Sequence, residues 1–340
     1  MSGLGYAYIG TAGGGAARQL ALDVLGPILA STDPDDIVGC WEAMFQESLL
    51  IGRRGIVMRV MSAIDMARWD LAARRAGLPL AVLLGGTVRP IPAYASGGYY
   101  RADEDDASES VRAEIRADRA AGFIDHKIKV GGLAVADDAR RVRAAVEAMD
   151  GRGRLAVDAN NAYRSVADAV FAAESFEIAA QEAGSAGLWW FEEPLSPEDI
   201  TGHAQIRSRI ATPVATGEIA QTRHEFRALL QAEAADILQP DAGVVGGITE
   251  YLRVVRAAEV HQVPVAPHWH ANVHVHLAAA SANCIAVEHF ILEKDIYNVE
   301  AVFTPGSRLG YADGAVLVPD RPGIGVELDM AAVSRFEVSP

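Results

Sequence analysis

Lysine is nearly absent from this chain: three of its 30 basic residues are lysine and the rest are arginine. Cysteine is scarcer still. Cys40 and Cys284 are too few and too far apart for a disulfide framework or a cysteine-built zinc site. No run reaches the ~18 uninterrupted apolar residues of a transmembrane helix, and no basic-then-apolar start directs export. No membrane and a cytoplasmic location are the expectation. Positive charge is also short, with a formal net charge of −15. Nucleic-acid binding needs a basic stripe to displace counterions, so that class is excluded. An anionic small molecule would need a local cluster of positive charge to overcome the mean field.

What remains is an ordinary globular composition, 50% apolar and 22% charged, over 340 residues. That length suits one large barrel and a smaller partner. The few lysines are informative, because two of the three are Lys127 and Lys129. Arginine stays protonated, whereas lysine loses its proton when its surroundings disfavour charge. A chain that uses arginine wherever a plain cation would serve has kept two lysines side by side for chemistry. A pair of solvated surface lysines is the blander alternative.

Residues 1–88 read as helical, with apolar positions at helical spacing over Ala16–Leu29, Asp35–Leu49 and Val57–Ala76, closed by Gly77-Leu78-Pro79. From Ile91 the pattern changes. Short apolar runs begin near Ile91, His126, Leu155, Leu188, Pro213, Asp236, Val263 and Ile285. Between them lie the amphipathic stretches Asp103–Ala121, Asp137–Met149, Ser165–Ala183, Pro197–Ser208, Arg223–Gln231, Ile248–Val260 and Ala271–Ala282. Eight strands alternating with helices predict an α/β fold, a (β/α)₈ TIM-like barrel over 89–309. The tail, 310–340, is rich in Gly, Pro and Asp and reads as a return to the N-terminal part.

Chemistry in such a barrel sits at the C-terminal ends of the strands. The second run ends in Lys127 and Lys129, the third in Asp158, the fourth in Glu192 and the fifth in Glu218. The sixth is followed by Asp241, the seventh by His268, and the eighth ends in Glu288. Three carboxylates from adjacent strands repel one another unless a cation neutralises them, and an all-oxygen set suits Mg²⁺. Each alone could be a salt-bridged or capping acid. Lys127 and Lys129, at i and i+2 on one strand, face the same way, so one can hold a carboxylate while the other acts as base. A free lysine, at about 10.4, is too basic for that work. The second ammonium and a nearby cation are expected to lower it. Asp241, on the neighbouring strand, is placed to orient His268. The run from Pro267 to His276 also permits a histidine-rich zinc hydrolase, although the first strand carries no histidine and the acid trio would then be unexplained.

The ordered set Lys127-Ile-Lys129, Asp158-Ala-Asn160, Phe191-Glu-Glu-Pro194, Gly217-Glu218, Pro240-Asp241 and Pro267-His268 resembles the mandelate racemase-like members of the enolase superfamily. Ser62-Ala-Ile-Asp-Met-Ala-Arg-Trp-Asp70, Leu83-Leu-Gly-Gly86 and Pro322-Gly-Ile-Gly-Val-Glu-Leu-Asp329 extend the likeness to nearly the whole chain. The resemblance implies an α+β capping domain formed by the N-terminal helices and the C-terminal tail, and a homo-oligomer. It implies Mg²⁺ ligands at Asp158, Glu192 and Glu218, and Lys129 as one base with Lys127 on the substrate carboxylate. The His268–Asp241 dyad would be the opposite acid/base, Glu288 a donor to the developing enolate oxygen, Asn160 a polar group near the metal, and Glu193 a support behind it. Dehydration of a sugar acid to a 2-keto-3-deoxy acid is the favoured reaction; racemisation, epimerisation or cycloisomerisation is the alternative. A barrel that binds metal without turnover is a non-enzymatic reading. The chain departs from the pattern at its start, where Met1-Ser-Gly-Leu-Gly leads almost at once into the first helix, without the strands and mobile loop that open the family's cap.

Overall fold

A computed structural model describes residues 1–10, 12–101, 106–294 and 298–337. The expected start of the first barrel helix, at Asp103, lies outside the described residues. After an irregular segment come α1 (Gly14–Leu20), α2 (Gly26–Ser31), α3 (Ile37–Glu47), α4 (Ile56–Ala76) and α5 (Leu80–Leu83). The single helix expected over Ala16–Leu29 is interrupted by a π-helical turn at Ala21–Leu25. Pro27 lies in the first turn of α2 and has no N–H to give the preceding turn, so the hydrogen-bond ladder shifts there. Asp36 caps α3 by accepting from the Gly39 N–H at 2.8 Å. The facing sides of α3 and α4 bury Trp41, Met44, Met58 and Met61 in a core of their own.

The barrel wall is β1 (Pro90–Gly97), β2 (Asp125–Lys129), β3 (Leu155–Asp158), β4 (Phe191–Glu192), β5 (Val214–Thr216), β6 (Ile237–Leu238) and β7 (Val287–His289), all parallel. β7 closes the ring by pairing with β1, Tyr94 opposite Glu288. The expected strand at Val263 is reduced to one bridging residue, Val265, which links Leu238 on one side to Cys284 on the other. Around the wall run α6 (Ala107–Ala120), α7 (Val135–Ala148), α8 (Val166–Glu182), α9 (Ile200–Arg207), α10 (Thr222–Gln231), α11 (Ile248–Val260) and α12 (Ala271–Ala279). The order is that of a (β/α)₈ barrel.

Period-two alternation decides what enters the barrel. Tyr94, Ala156, Trp190, Ala215, Ile237, Ala266 and Ala286 pack together as an apolar floor. Two residues further along several of these strands come Asp158, Glu192, His268 and Glu288, so the floor is roofed by ionisable side chains. The helical N-terminal part is tied to the loops at this end: the Trp41 Nε1–H donates to the Gly246 carbonyl at 2.6 Å, and Asp65 accepts from the Thr249 N–H and hydroxyl at 2.8 and 2.6 Å. In the tail, β8 (Tyr311–Ala312) and β9 (Ala315–Leu317) form a hairpin whose second strand pairs antiparallel with Pro90–Pro92. Beyond it the Ile324 N–H donates to Asp70 of α4 at 2.8 Å. No described helix is long and apolar enough to cross a membrane.

Candidate active site

Lys127 and Lys129 occupy inward positions of β2. Lys127 is buried, with its Nζ 2.6 Å from Glu192 Oε1, 2.8 Å from Glu288 Oε1 and 3.4 Å from Asp158 Oδ2. Lys129 lies one layer nearer the mouth, with Nζ 2.5 Å from Asp158 Oδ2 and 5.3 Å from the centroid of the Tyr99 ring. Asp158, Glu192 and Glu218 end β3 and β4 and follow β5. Each offers a carboxylate oxygen within 4.8 Å of the others, and among the described residues they are the one such group of three His, Cys, Asp or Glu side chains. The four histidines from His268 to His276 do not converge in this way, which removes the zinc reading. His274 accepts from the Ala242 N–H and donates to the Trp269 carbonyl, while His276 accepts from the Ala81 N–H. Both are satisfied core residues.

The electrostatics follow from a count of charges. Asp158, Glu192, Glu193, Glu218 and Glu288 face only two ammonium groups. Burial works against the Asp158 carboxylate, but Lys129 and Lys127 hold its pKa well below the usual carboxylate range. The same balance, with Lys127 as the main cation, takes Glu288 down to about 2. Nothing comparable is left for the others. Burial and Asp158 push Glu192 up to about 8, and burial with Glu218 pushes Glu193 far above its ordinary value. Glu218 Oε2 is buried without a hydrogen-bond partner. Surplus carboxylates, an orphaned oxygen and all-oxygen ligation fit a hard divalent cation, and Asp158, Glu192 and Glu218 could hold it. Among the chain's own charges, burial disfavours both ammonium groups, yet Glu192 and Glu288 raise Lys127 and Asp158 raises Lys129, so the depression expected of the lysines falls to the cation.

Across the trio, the His268 Nδ1–H donates to Asp241 Oδ2 at 2.9 Å, leaving Nε2 3.6 Å from Glu218 Oε2. Burial opposes the imidazolium, but Glu218, Asp241 and Glu288 prevail and raise His268 to about 10. Glu288 accepts from the Trp269 N–H at 2.7 Å as well as pairing with Lys127, so in this arrangement it is an acceptor rather than the donor the resemblance implies. Asn160 is exposed and reaches Asp158 through its backbone N–H at 2.9 Å. Trp190, whose Nε1–H donates to Glu192 Oε2 at 2.8 Å, escaped the sequence reading. Its place two residues before Glu192 on an inward face was the available signal.

An apolar groove of ≈ 580 Å³ between residues 3–9 and α4 contains none of these groups. The chemistry is at the barrel mouth.

Two family models together take in most of the chain. Residues 1–85 match the mandelate racemase / muconate lactonizing enzyme N-terminal domain, and residues 110–332 match the enolase C-terminal domain-like model. The chain is 34% identical over 333 residues to the L-talarate/galactarate dehydratase of Salmonella typhimurium, covering 98% of this chain and 78% of that one. Among solved structures it is similar to a racemase from Streptomyces coelicolor with bound magnesium, at TM-score 0.88 and 30% identity, covering 99% of this chain and 88% of that one. It is also similar to an L-talarate dehydratase from Polaromonas sp. complexed with Mg and L-glucarate, at TM-score 0.86 and 34% identity, covering 98% and 87%. Matched from its first helices to its last barrel strand, the chain belongs to the mandelate racemase / muconate lactonizing enzyme group of the enolase superfamily.

Proposed function

We propose that this chain is a Mg²⁺-dependent enzyme that removes the proton alpha to the carboxylate of a sugar acid and eliminates the 3-hydroxyl, giving a 2-keto-3-deoxy acid. The observation that carries it is the bracketing of the carboxylate trio. Lys129 touches Asp158 at one end, and His268 lies 3.6 Å from Glu218 at the other. Two groups able to move protons thus stand on either side of a cation-binding set, as α-proton chemistry requires.

Asp158, Glu192 and Glu218 would hold Mg²⁺, which supplies the positive charge that acidifies the α-proton and stabilises the enediolate. Lys127 presents its ammonium to the substrate carboxylate, with Glu288 fixing its direction, and Asn160, exposed just beyond Asp158, is the polar group offered to the substrate. Lys129 is the base on its face: once Asp158 is engaged elsewhere it loses the partner that holds its proton, and Lys127 pushes the same way. The electron pair of the Cα–H bond passes into the enediolate, then returns to break C3–O. His268 donates the Nε2 proton to the departing hydroxyl, which leaves as water, while Asp241 retains Nδ1–H and the orientation of the ring. The enol relaxes to the 2-keto acid.

The same bracketing supports a second reading. If His268 returns a proton to C2 on the far face, the product is the epimer, and the similarity to a racemase favours keeping this outcome in view. The family resemblance also implies a homo-oligomer. The test is proton NMR in D₂O with Mg²⁺ and pools of C4–C6 acid sugars. New C3 methylene signals establish dehydration; α-proton exchange with the 3-hydroxyl retained and the C2 epimer appearing establishes epimerisation. Neither, with Mg²⁺ bound, would leave a metal-binding barrel without turnover.

A further inference from the structure

His270 is buried, and neither of its ring nitrogens has a hydrogen-bond partner. It is held in an unusual way. Trp269 and His270 are consecutive non-glycine residues in the left-handed region, at φ 50° and 31°, a conformation that persists only where the surroundings enforce it. The imidazole lies stacked on Trp269, ring centroids 5.1 Å apart, and meets Tyr6 edge-on at 5.2 Å. That clamp aims Nε2 at Asp241 Oδ1, 3.7 Å away, on the opposite side of the carboxylate from His268. The approach is possible because residue 243 is glycine: a Cβ there would stand 2.6 Å from His270 Nε2. The Gly243 N–H donates to the same Oδ1 at 2.6 Å.

We propose that His270 is a positioning residue for proton transfer at His268, wedging Asp241 in place from the side that His268 does not touch. An aspartate that orients a catalytic imidazole works through direction, and it needs support on its second oxygen to keep that direction. The Gly243 N–H supplies part of that support, and the clamped imidazole supplies the rest. This inference rests on the reading of His268 as an acid/base.

The test uses the full chain with Mg²⁺ in D₂O and the C4–C6 acid sugars of the pool, each run beside its C2 epimer, which presents the α-proton on the opposite face. Exchange that survives Lys129→Ala marks the face served by His268. His270→Ala is expected to slow that exchange about tenfold in kcat, while KM, Mg²⁺ affinity and exchange on the Lys129 face each change less than about twofold. His270→Gln, which keeps much of the bulk set against Asp241, is expected to recover part of the loss. Equal losses on both faces would mean that the residue merely holds the fold, and no loss on either would mean that Asp241 needs no such support; each overturns the proposal. If the wild-type chain exchanges on the Lys129 face alone, the same comparison is read on the C3 methylene product, whose formation uses the His268 proton and is expected to slow about tenfold in His270→Ala. If that product is also missing, the acid/base reading of His268 fails and this inference fails with it.

Discussion

His268 is the residue whose protonation the structure constrains most usefully. Its pKa is raised from 6.5 to about 10, against the cost of burial, by Glu218 first and by Asp241 and Glu288 after it. A group raised on folding stabilises the native state fully below its unfolded value, and loses that contribution as pH climbs through the folded value. In EDTA-treated protein, therefore, part of the stability falls away between pH 6.5 and about 10, and His268→Asn should flatten that fall in denaturant titrations. A mutant curve as steep as the wild type's would contradict the assignment. Mg²⁺ at the proposed ligand Glu218 would offset the charge of that carboxylate, so the imidazole resonance of His268 should titrate at lower pH once the cation is added. Lys127 makes a different prediction. Removing one partner of a buried ion pair leaves the others uncompensated, at a cost of about 3–5 kcal/mol. Lys127→Met should lose that much stability in EDTA, and less in Mg²⁺, because the cation then balances Glu192. Equal losses with and without Mg²⁺ would separate Lys127 from the metal set.

Among the elements, the irregular segment that precedes α1 does more than its lack of regular structure suggests. Gly5 lies so close to α4 that a Cβ would stand 1.9 Å from the Ala63 carbonyl oxygen, and the Leu4 N–H donates to Asp70 at 2.8 Å. Docked this way, the segment sets Tyr8 edge-on against Trp269, ring centroids 4.9 Å apart, beside the Tyr6 contact with His270. Gly5→Val should prise the segment off α4, lower stability by about 1–3 kcal/mol and open residues 1–10 to proteolysis. Unchanged proteolysis would show that the segment is held elsewhere. Nothing in the sequence announced this docking. Leu4, Tyr6 and Tyr8 alternate with small residues as a strand would, yet no strand forms there, and a left-handed Trp269-His270 pair carries no compositional mark. The candidate site was legible for the opposite reason. Inward residues of a barrel strand recur every second position, so Lys127 with Lys129, and Glu192, could be read from the ends of apolar runs. Strand length was less legible, since the run at Val263 pairs through Val265 alone. The pull of the carboxylates on the two lysines was less legible, because it depends on how many of them the bowl gathers, which appears only after folding.

At the scale of the whole molecule, the net charge of −15 and the carboxylate-rich bowl act together. The chain repels anions in general, and the proposed site would admit one only where Mg²⁺, the two lysines and His268 offset the local carboxylates. Mg²⁺ binding to the folded state alone should raise stability by about 2.7 kcal/mol at a hundredfold excess over Kd. The accompanying rise in Tm should disappear in Asp158→Asn. A rise that survives this change would place the cation elsewhere. The central claim is metal-assisted α-proton abstraction. The most direct measurement of it is incorporation of solvent deuterium, at C3 of the 2-keto-3-deoxy product or at C2 of the recovered acid sugar, with Mg²⁺ and then with EDTA, in the wild-type chain and in Lys129→Ala with His268→Asn. Incorporation that requires Mg²⁺ and vanishes in the double variant is the result expected. Incorporation that persists in EDTA, or in the double variant, would contradict it.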